Sequence, residues 1–210
     1  MSMTDYHPKT QKDLEQLRGE LFHMILFSMA WSIIGEYALN FRDFSIGVGF
    51  TLLAVVCLAL YSIRLYDMED ELEEGDDLAE PALFATRKHR KSDRLYALIL
   101  IFEGIAILIT WSILLKRGHD NWVIPGFAAV AGLHFFPLAK VVGLRSYHVL
   151  GAWICALAVV GYLLVNSGRL EVQYVNALIA YGCAAGALID AVVITLRAKA
   201  MFPRYRSRWR

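Results

Sequence analysis

Two ionisable residues lie in the middle of long apolar segments, where charged groups are costly. Glu103 is enclosed by apolar residues in "LIFEGIAIL", and His134 belongs to "GLHFFPLAK". Placing a charged side chain at the centre of a membrane helix costs roughly 2.5–3.5 kcal/mol, so such residues face the interior of a bundle and usually find a partner. A carboxylate and an imidazole can both accept and release protons, which is the chemistry of acid–base catalysis and of proton relays.

The positions of these two residues along their segments predict a contact. Glu103 lies nine residues from Arg94, and His134 lies 11 residues from Arg145. At the rise of an α-helix these separations correspond to about 13 Å and about 16 Å. Both side chains therefore lie near mid-membrane on neighbouring segments, and we expect them to pair.

Three further charged residues fall within or beside apolar segments. Asp190 and Lys140 lie about 10 Å and about 8 Å from the basic ends of their segments, so a second ion pair is predicted between them. Glu36 lies close to the other end of its segment, in "SIIGEYAL". We expect it to be an interfacial carboxylate, within reach of lipid headgroups and of Arg42.

Pro137 is expected to bend the helix that carries His134. A proline inside a helix lacks an N–H and clashes with the carbonyl four residues earlier, here that of Leu133. The freed carbonyl would form a polar notch on the side of His134. Lys140 can extend from this helix toward the cytoplasm.

The last apolar segment contains a pair of small residues that favours close helix packing. Gly182 and Gly186 are four residues apart in "YGCAAGALID", which is a small-xxx-small pattern. The pattern fits packing within one bundle and equally the interface of a homo-oligomer, and the sequence does not separate the two.

The elements that must carry these residues are membrane-spanning helices. Hydrophobic residues make up 57% of the 210 residues, against about 45–50% in soluble domains. They form six runs near the length of about 20 residues that a span requires: Glu20–Leu39, Phe44–Tyr66, Leu95–Leu115, Trp122–Val142, Val149–Val165 and Val172–Leu196. The sequence predicts an all-α polytopic membrane protein with six transmembrane helices in three hairpins.

The basic residues predict the orientation of this bundle. With the N-terminus inside, 17 of the 21 Lys and Arg residues lie on the inner side. By the positive-inside rule we expect both termini to be cytoplasmic. The net charge of +1 does not indicate a nucleic-acid partner, and we expect none.

Three charged segments flank or interrupt the bundle, which occupies residues 20–196. Residues 1–19 are predicted to form a cytoplasmic N-terminal helix, residues 67–93 a charged cytoplasmic loop, and residues 197–210 a basic tail. The loop, with "DMEDELEEGDDLAE" before "RKHRKSDR", is most simply a solvated segment, and a docking site for a protein partner is the second option. A calcium site is the third and least favoured, because the acidic run lacks the alternating oxygen ligands and placed glycine of an EF-hand loop. The tail residues expected to contact anionic lipid are Arg204, Arg206, Arg208, Trp209 and Arg210.

Several functions are compatible with this pattern. In a membrane scaffold, sensor or accessory subunit, the buried charges would only fix helix register. In a proton-linked transporter or channel for small solutes, Glu103 and His134 would handle the protons. An intramembrane enzyme is less favoured because the chain has no G-x-S-x-G or H-E-x-x-H motif. We expect no catalytic residue, metal or cofactor; a b-type haem between His23 and His148 is the alternative.

The layout is similar to that of small bacterial inner-membrane proteins of uncharacterised function. The resemblance is carried by a short polar N-terminal helix, "KDLEQLRGELF", and a late span containing "GLHFFPLAKVVGL". It implies a six-helix fold and an inner-membrane location. It implies no activity and no catalytic residue.

Overall fold

The computed structural model describes residues 11–41, 47–54, 56–57, 60 and 83–201, and side chains within 17–41, 47–54, 56–57, 60 and 94–196. Every regular element in these ranges is helical. The elements are α1 (Gln11–Ala38), α2 (47–54), α3 (Leu83–Lys116), a 3-10 turn (Asp120–Trp122), α4 (Val123–Val142), α5 (Arg145–Ser167) and α6 (Val172–Met201).

Five of these helices are long and apolar enough to cross a membrane. The candidate spans are Leu17–Ala38, Arg94–Lys116, Asp120–Val142, Arg145–Ser167 and Val172–Leu196. The described residues therefore confirm the predicted all-α architecture with several helices apolar enough to cross a membrane. The second predicted span, Phe44–Tyr66, lies largely outside the described residues, although its described part at 47–54 is helical.

Consecutive long helices from α3 onward are antiparallel, because short turns join them and they pack along each other. Helix α6 also packs along α1. We call the end at which α1, α3 and α5 begin the inner end, and the opposite one the outer end. Gly118, Gly143 and Gly168 occupy the turns with positive φ angles of 69°, 79° and 61°, a conformation that glycine adopts without a steric penalty.

The start of α3 differs from the sequence-based expectation. Helix α3 begins at Leu83, so residues 83–93 of the predicted charged loop are helical. Arginine, lysine, leucine and alanine are all good helix formers. The charge of "RKHRKSDR" therefore does not prevent the helix from extending beyond the apolar span. Residues 67–82 and the tail from 202 onward, with its predicted lipid contacts, lie outside the described residues.

Glycines allow the central helices to approach closely. A Cβ atom on Gly132 would lie 2.8 Å from the backbone nitrogen of Cys155 and 3.0 Å from the carbonyl oxygen of Gly151. The backbones of α4 and α5 are therefore in contact at this crossing. In membranes, such van der Waals contact replaces the hydrophobic effect as the main attraction between helices.

The predicted small-residue pair packs within the chain. A Cβ atom on Gly182 would meet Leu157, and one on Gly186 would meet Trp153, each at 2.8 Å. The indole Nε1 of Trp153 also donates a hydrogen bond to the carbonyl oxygen of Gly182 at 3.0 Å. Of the two arrangements that the sequence left open, these glycines serve the packing of α6 on α5.

Candidate functional site

Glu103 on α3 and His134 on α4 are in contact inside the bundle. The Nδ1 atom of His134 lies 3.1 Å from Oε1 of Glu103, and the two side chains are 5% and 13% exposed, respectively. The expected contact is thus present. The atoms are close but poorly aligned for a hydrogen bond, because Nδ1 has no partner that satisfies the directional requirement.

The position of Glu103 follows from the narrow stripe by which α3 packs on α4. Tyr96, Ile99, Glu103 and Thr110 are partly buried and recur at helical spacing. The intervening large side chains face outward, as shown by Phe102, which is 68% exposed. Glu103 is thus placed toward α4 by the same periodicity that leaves its neighbours facing the bilayer.

Aromatic rings enclose the imidazole of His134. The ring of Phe135 lies 4.2 Å from it and that of Phe27 lies 6.3 Å from it, measured between centroids. Phe135 also contacts Phe27 and Tyr147, at 5.3 Å and 5.6 Å. This cluster joins α1, α4 and α5 around the polar pair and fixes the imidazole in a largely apolar environment.

A second group of ionisable side chains lies between this pair and the inner end. His23 on α1 contacts Tyr96 on α3 with 5.9 Å between ring centroids, in an edge-to-face arrangement. Glu20, one turn earlier on α1, is buried. Tyr96 and Glu103 are both partly buried on α3, and the ring of Phe27 lies 6.4 Å from that of His23 and 6.3 Å from that of His134. These ionisable groups therefore follow one another from the inner end toward the pair.

Several buried polar atoms in and around this group have no hydrogen-bond partner among the described residues. They are Nε2 of His23, Nε2 of His134 and the hydroxyl oxygen of Tyr147. More than nine-tenths of buried polar groups in folded proteins are satisfied. Three such atoms in one region therefore require an explanation beyond helix packing.

Lys140 and Asp190 are not brought together in the way the sequence predicted. Asp190 is buried in α6, whereas Lys140 is exposed on α4. No ion pair joins these two side chains within the described part of the chain. The two residues were predicted to lie at one depth in the membrane. The structure shows that the side chain of Lys140 is exposed, whereas that of Asp190 is buried. Asp190 is instead within electrostatic range of Tyr147.

Pro137 also faces away from the site. It lies inside α4, which continues to Val142, and both Pro137 and Leu133 are exposed whereas His134 is buried. The carbonyl freed by the proline is therefore on the outward side of α4. The interpretation that His134 and Pro137 share an inward polar notch is wrong.

Glu36 is a buried residue rather than the interfacial carboxylate that the sequence indicated. Its side chain is 5% exposed. Oε1 accepts hydrogen bonds from the backbone N–H of Gly47 at 2.7 Å and from the hydroxyl of Tyr181 at 2.6 Å. The ring of Phe50 stacks on Tyr181 at 5.8 Å. The partners come from distant segments, so counting residues to the end of α1 could not have identified them.

The described residues contain no group of three or more His, Cys, Asp and Glu side chains arranged to hold a metal ion. Cys57, Cys155 and Cys183 are free thiols. The two histidines considered for haem have different surroundings: His23 packs on Phe27 and Tyr96, and His148 is exposed beside Phe136.

These features define a class of helical bundles whose helices are apolar enough to cross a membrane and whose interior holds paired ionisable groups. The chain belongs to DUF7010, a family of unknown function, whose model matches residues 81–191. The matched segment includes Glu103, His134, Lys140 and Asp190, and it excludes α1. No curated protein and no solved structure matches the chain.

Proposed function

We propose that this protein is a proton-linked transporter or channel of the inner membrane, in which Glu103 and His134 bind and release the proton. The observation that carries the proposal is the 3.1 Å approach of His134 Nδ1 to Glu103 Oε1. Both groups lie inside a bundle of membrane-spanning helices, where ionisable side chains usually belong to ion or proton pathways.

The chemistry of the pair favours proton transfer over a fixed structural bridge. A bridge that only sets helix register is most stable when all of its polar atoms are hydrogen-bonded. Here the contact is poorly aligned, and Nε2 of His134 lacks a partner among the described residues. The imidazole can receive a proton at one nitrogen and release it from the other, which suits a relay.

We propose that the inner end of the bundle faces the cytoplasm, with both termini on that side. Arg94 and Arg145 begin their helices at the inner end. The basic residues of 83–93 and the end of α6 extend beyond the spans on the same side. The positive-inside rule assigns such a side to the cytoplasm.

A role as an accessory subunit is the second candidate, and the outward face of α3 favours it. Leu98, Ile101, Phe102, Ile105 and Leu108 are all exposed there, and α3 buries only a narrow, partly exposed stripe against α4. A second membrane protein, or a second copy of this chain, could pack on this face. The charged loop at 67–93 would be the corresponding cytoplasmic contact.

Proton flux in proteoliposomes under an imposed pH gradient tests the main proposal. We expect Glu103→Gln to lower the flux at least tenfold, because the amide cannot bind and release a proton. Glu171→Gln is the matched control, since Glu171 is exposed on the turn before α6, and its flux should equal that of the wild type. Equal flux in all three proteins would exclude Glu103 from the path, and absence of wild-type flux with a range of co-solutes would favour the accessory role.

A further inference from the structure

The buried side chains at the inner end of the bundle form a series that leads from the protein surface to the Glu103–His134 pair. Helix α1 supplies Glu20 and His23 at a spacing of three residues, so both lie on one side of that helix. Helix α3 supplies Tyr96 two residues after its span begins at Arg94. The three residues lie within the first two turns of the candidate spans of α1 and α3.

The depths of these residues follow a consistent order. Tyr96 lies about 3 Å from the start of its span, Glu20 about 5 Å and His23 about 9 Å, at 1.5 Å per residue. Glu103, at about 13 Å, is the next group inward. The spacing between successive groups is a few ångströms along the membrane normal, which a water molecule between two side chains can bridge.

Contacts between the side chains agree with this order. His23 and Tyr96 pack with 5.9 Å between ring centroids. The ring of Phe27 lies 6.4 Å from that of His23 and 6.3 Å from that of His134. His23 therefore lies between Tyr96 and the aromatic rings that surround His134.

The unsatisfied atoms of the series point to water. Nε2 of His23 and Nε2 of His134 are buried without a hydrogen-bond partner among the described residues. Leaving such atoms unsatisfied in an apolar environment is destabilising. Buried water molecules typically satisfy groups of this kind by making two to four hydrogen bonds.

We infer that Glu20, His23 and Tyr96 line a hydrated route by which protons reach the Glu103–His134 pair from the inner end. The inference rests on the proposed function for the identity of what moves, but the route itself is defined by access of water. A proton taken up by one side chain or water is released to the next, so no net chemical change occurs along the route. His23 acts as the intermediate acceptor because its imidazole can bind a proton on either nitrogen.

Water access can be tested by chemical labelling independently of transport. In a chain with Cys57, Cys155 and Cys183 replaced by alanine, His23→Cys is treated from the inner side with a charged methanethiosulfonate reagent. Phe22→Cys and Leu26→Cys are the matched controls, because both side chains face outward from α1 and bracket His23 in depth. We expect the cysteine at 23 to react at least tenfold faster than either control.

A second pair of variants protects the test against a local folding defect. Tyr96→Cys should react at least tenfold faster than Leu98→Cys, since Leu98 is exposed on the outward face of α3. Labelling at 23 and 96 no faster than at the outward positions would overturn the route.

Flux measurements separate failure of the route from failure of the proposed function. If the route carries the protons, Tyr96→Phe lowers the flux severalfold, and Tyr174→Phe, which alters an exposed tyrosine at the outer end, leaves it unchanged. Normal flux in Tyr96→Phe and His23→Phe, with loss in Glu103→Gln, would overturn the route and preserve the proposed function. Fast labelling at 23 and 96 without flux in the wild type would support the route and contradict transport.

Discussion

The hydroxyl of Tyr181 on α6 donates a hydrogen bond to Oε1 of Glu36 on α1, with 2.6 Å between the two oxygen atoms. The same carboxylate oxygen accepts the backbone N–H of Gly47 at the start of α2. One buried carboxylate thus joins three helices at the outer end of the bundle. This carboxylate fixes the outer end of α1. The same helix carries His23 and Glu20 near its inner end.

Tyr181→Phe should destabilise the protein by about 1 kcal/mol, because it removes a hydrogen bond to a buried carboxylate but preserves the ring. The free energy of unfolding can be measured by denaturation in mixed micelles. Tyr174→Phe on the same helix is the control, since Tyr174 is exposed, and it should change the stability by less than about 0.5 kcal/mol. Equal losses in the two variants would show that the Glu36 contact contributes nothing.

Gly47→Ala should disrupt the same contact from the backbone side. A Cβ atom at this position would overlap the carboxylate of Glu36, whereas one on Gly49 would meet nothing within 4 Å. We expect Gly47→Ala to lower the melting temperature and Gly49→Ala to preserve or raise it, since alanine stabilises a helix by up to about 1 kcal/mol relative to glycine. A thermal-shift comparison of the two variants checks this, and the reverse order would contradict the arrangement.

A double-mutant cycle measures the coupling between Glu103 and His134. Glu103→Leu leaves the imidazole without its partner, and His134→Leu does the same to the carboxylate. The losses in free energy of unfolding of the two single variants should therefore add up to more than the loss in the double variant. We expect a coupling energy of about 1 kcal/mol, within the range for residues in contact. Glu103→Leu combined with Glu171→Gln should be additive, and additivity in the main cycle as well would mean that the 3.1 Å contact has no energetic consequence.

Gly132→Ala should separate α4 from α5. The added methyl group would meet backbone atoms of Cys155 and Gly151 at 2.8 Å and 3.0 Å, and backbone cannot rotate away as a side chain can. Overpacking of this kind costs about 1–3 kcal/mol, and the shift of α4 should also displace His134, two residues away. Gly104→Ala, where a Cβ atom would meet nothing within 4 Å, should be tolerated, and comparable stability of the two variants would show that the crossing can relax.

The sequence was sufficient to predict most of the long helices and the contact between Glu103 and His134. Apolar length defines a span, and the rise of a helix converts residue number into depth, so Glu103 and His134 were assigned to one level. The rotation of a helix about its axis is not contained in that conversion. Lys140 and Asp190 are at similar depths, but the α4 face that carries Lys140 is exposed, and the predicted pair does not form.

Contacts between distant segments were the other limit. The partners of Glu36 are 11 and 145 residues away in the chain, and its buried position depends on how α1, α2 and α6 assemble. The contact between Gly132 and Gly151 is similar, because two isolated glycines in apolar runs do not reveal which backbone each will meet. A pattern of small residues at a four-residue spacing, as at Gly182 and Gly186, is the form of this feature that a sequence can show.

The peripheral position of α3 has a consequence for how the surrounding lipid acts on the site. Among the described residues this helix packs mainly on α4, and Phe102, the residue next to Glu103, is 68% exposed on its outward face. Helix α4, by contrast, is enclosed by α3, α5 and α6. A thicker bilayer or a higher lateral pressure changes the tilt of exposed helices first, and it would therefore act on the carboxylate more directly than on the imidazole. Acyl-chain length is thus a physical variable that can tune the separation of the two groups without any change in the sequence.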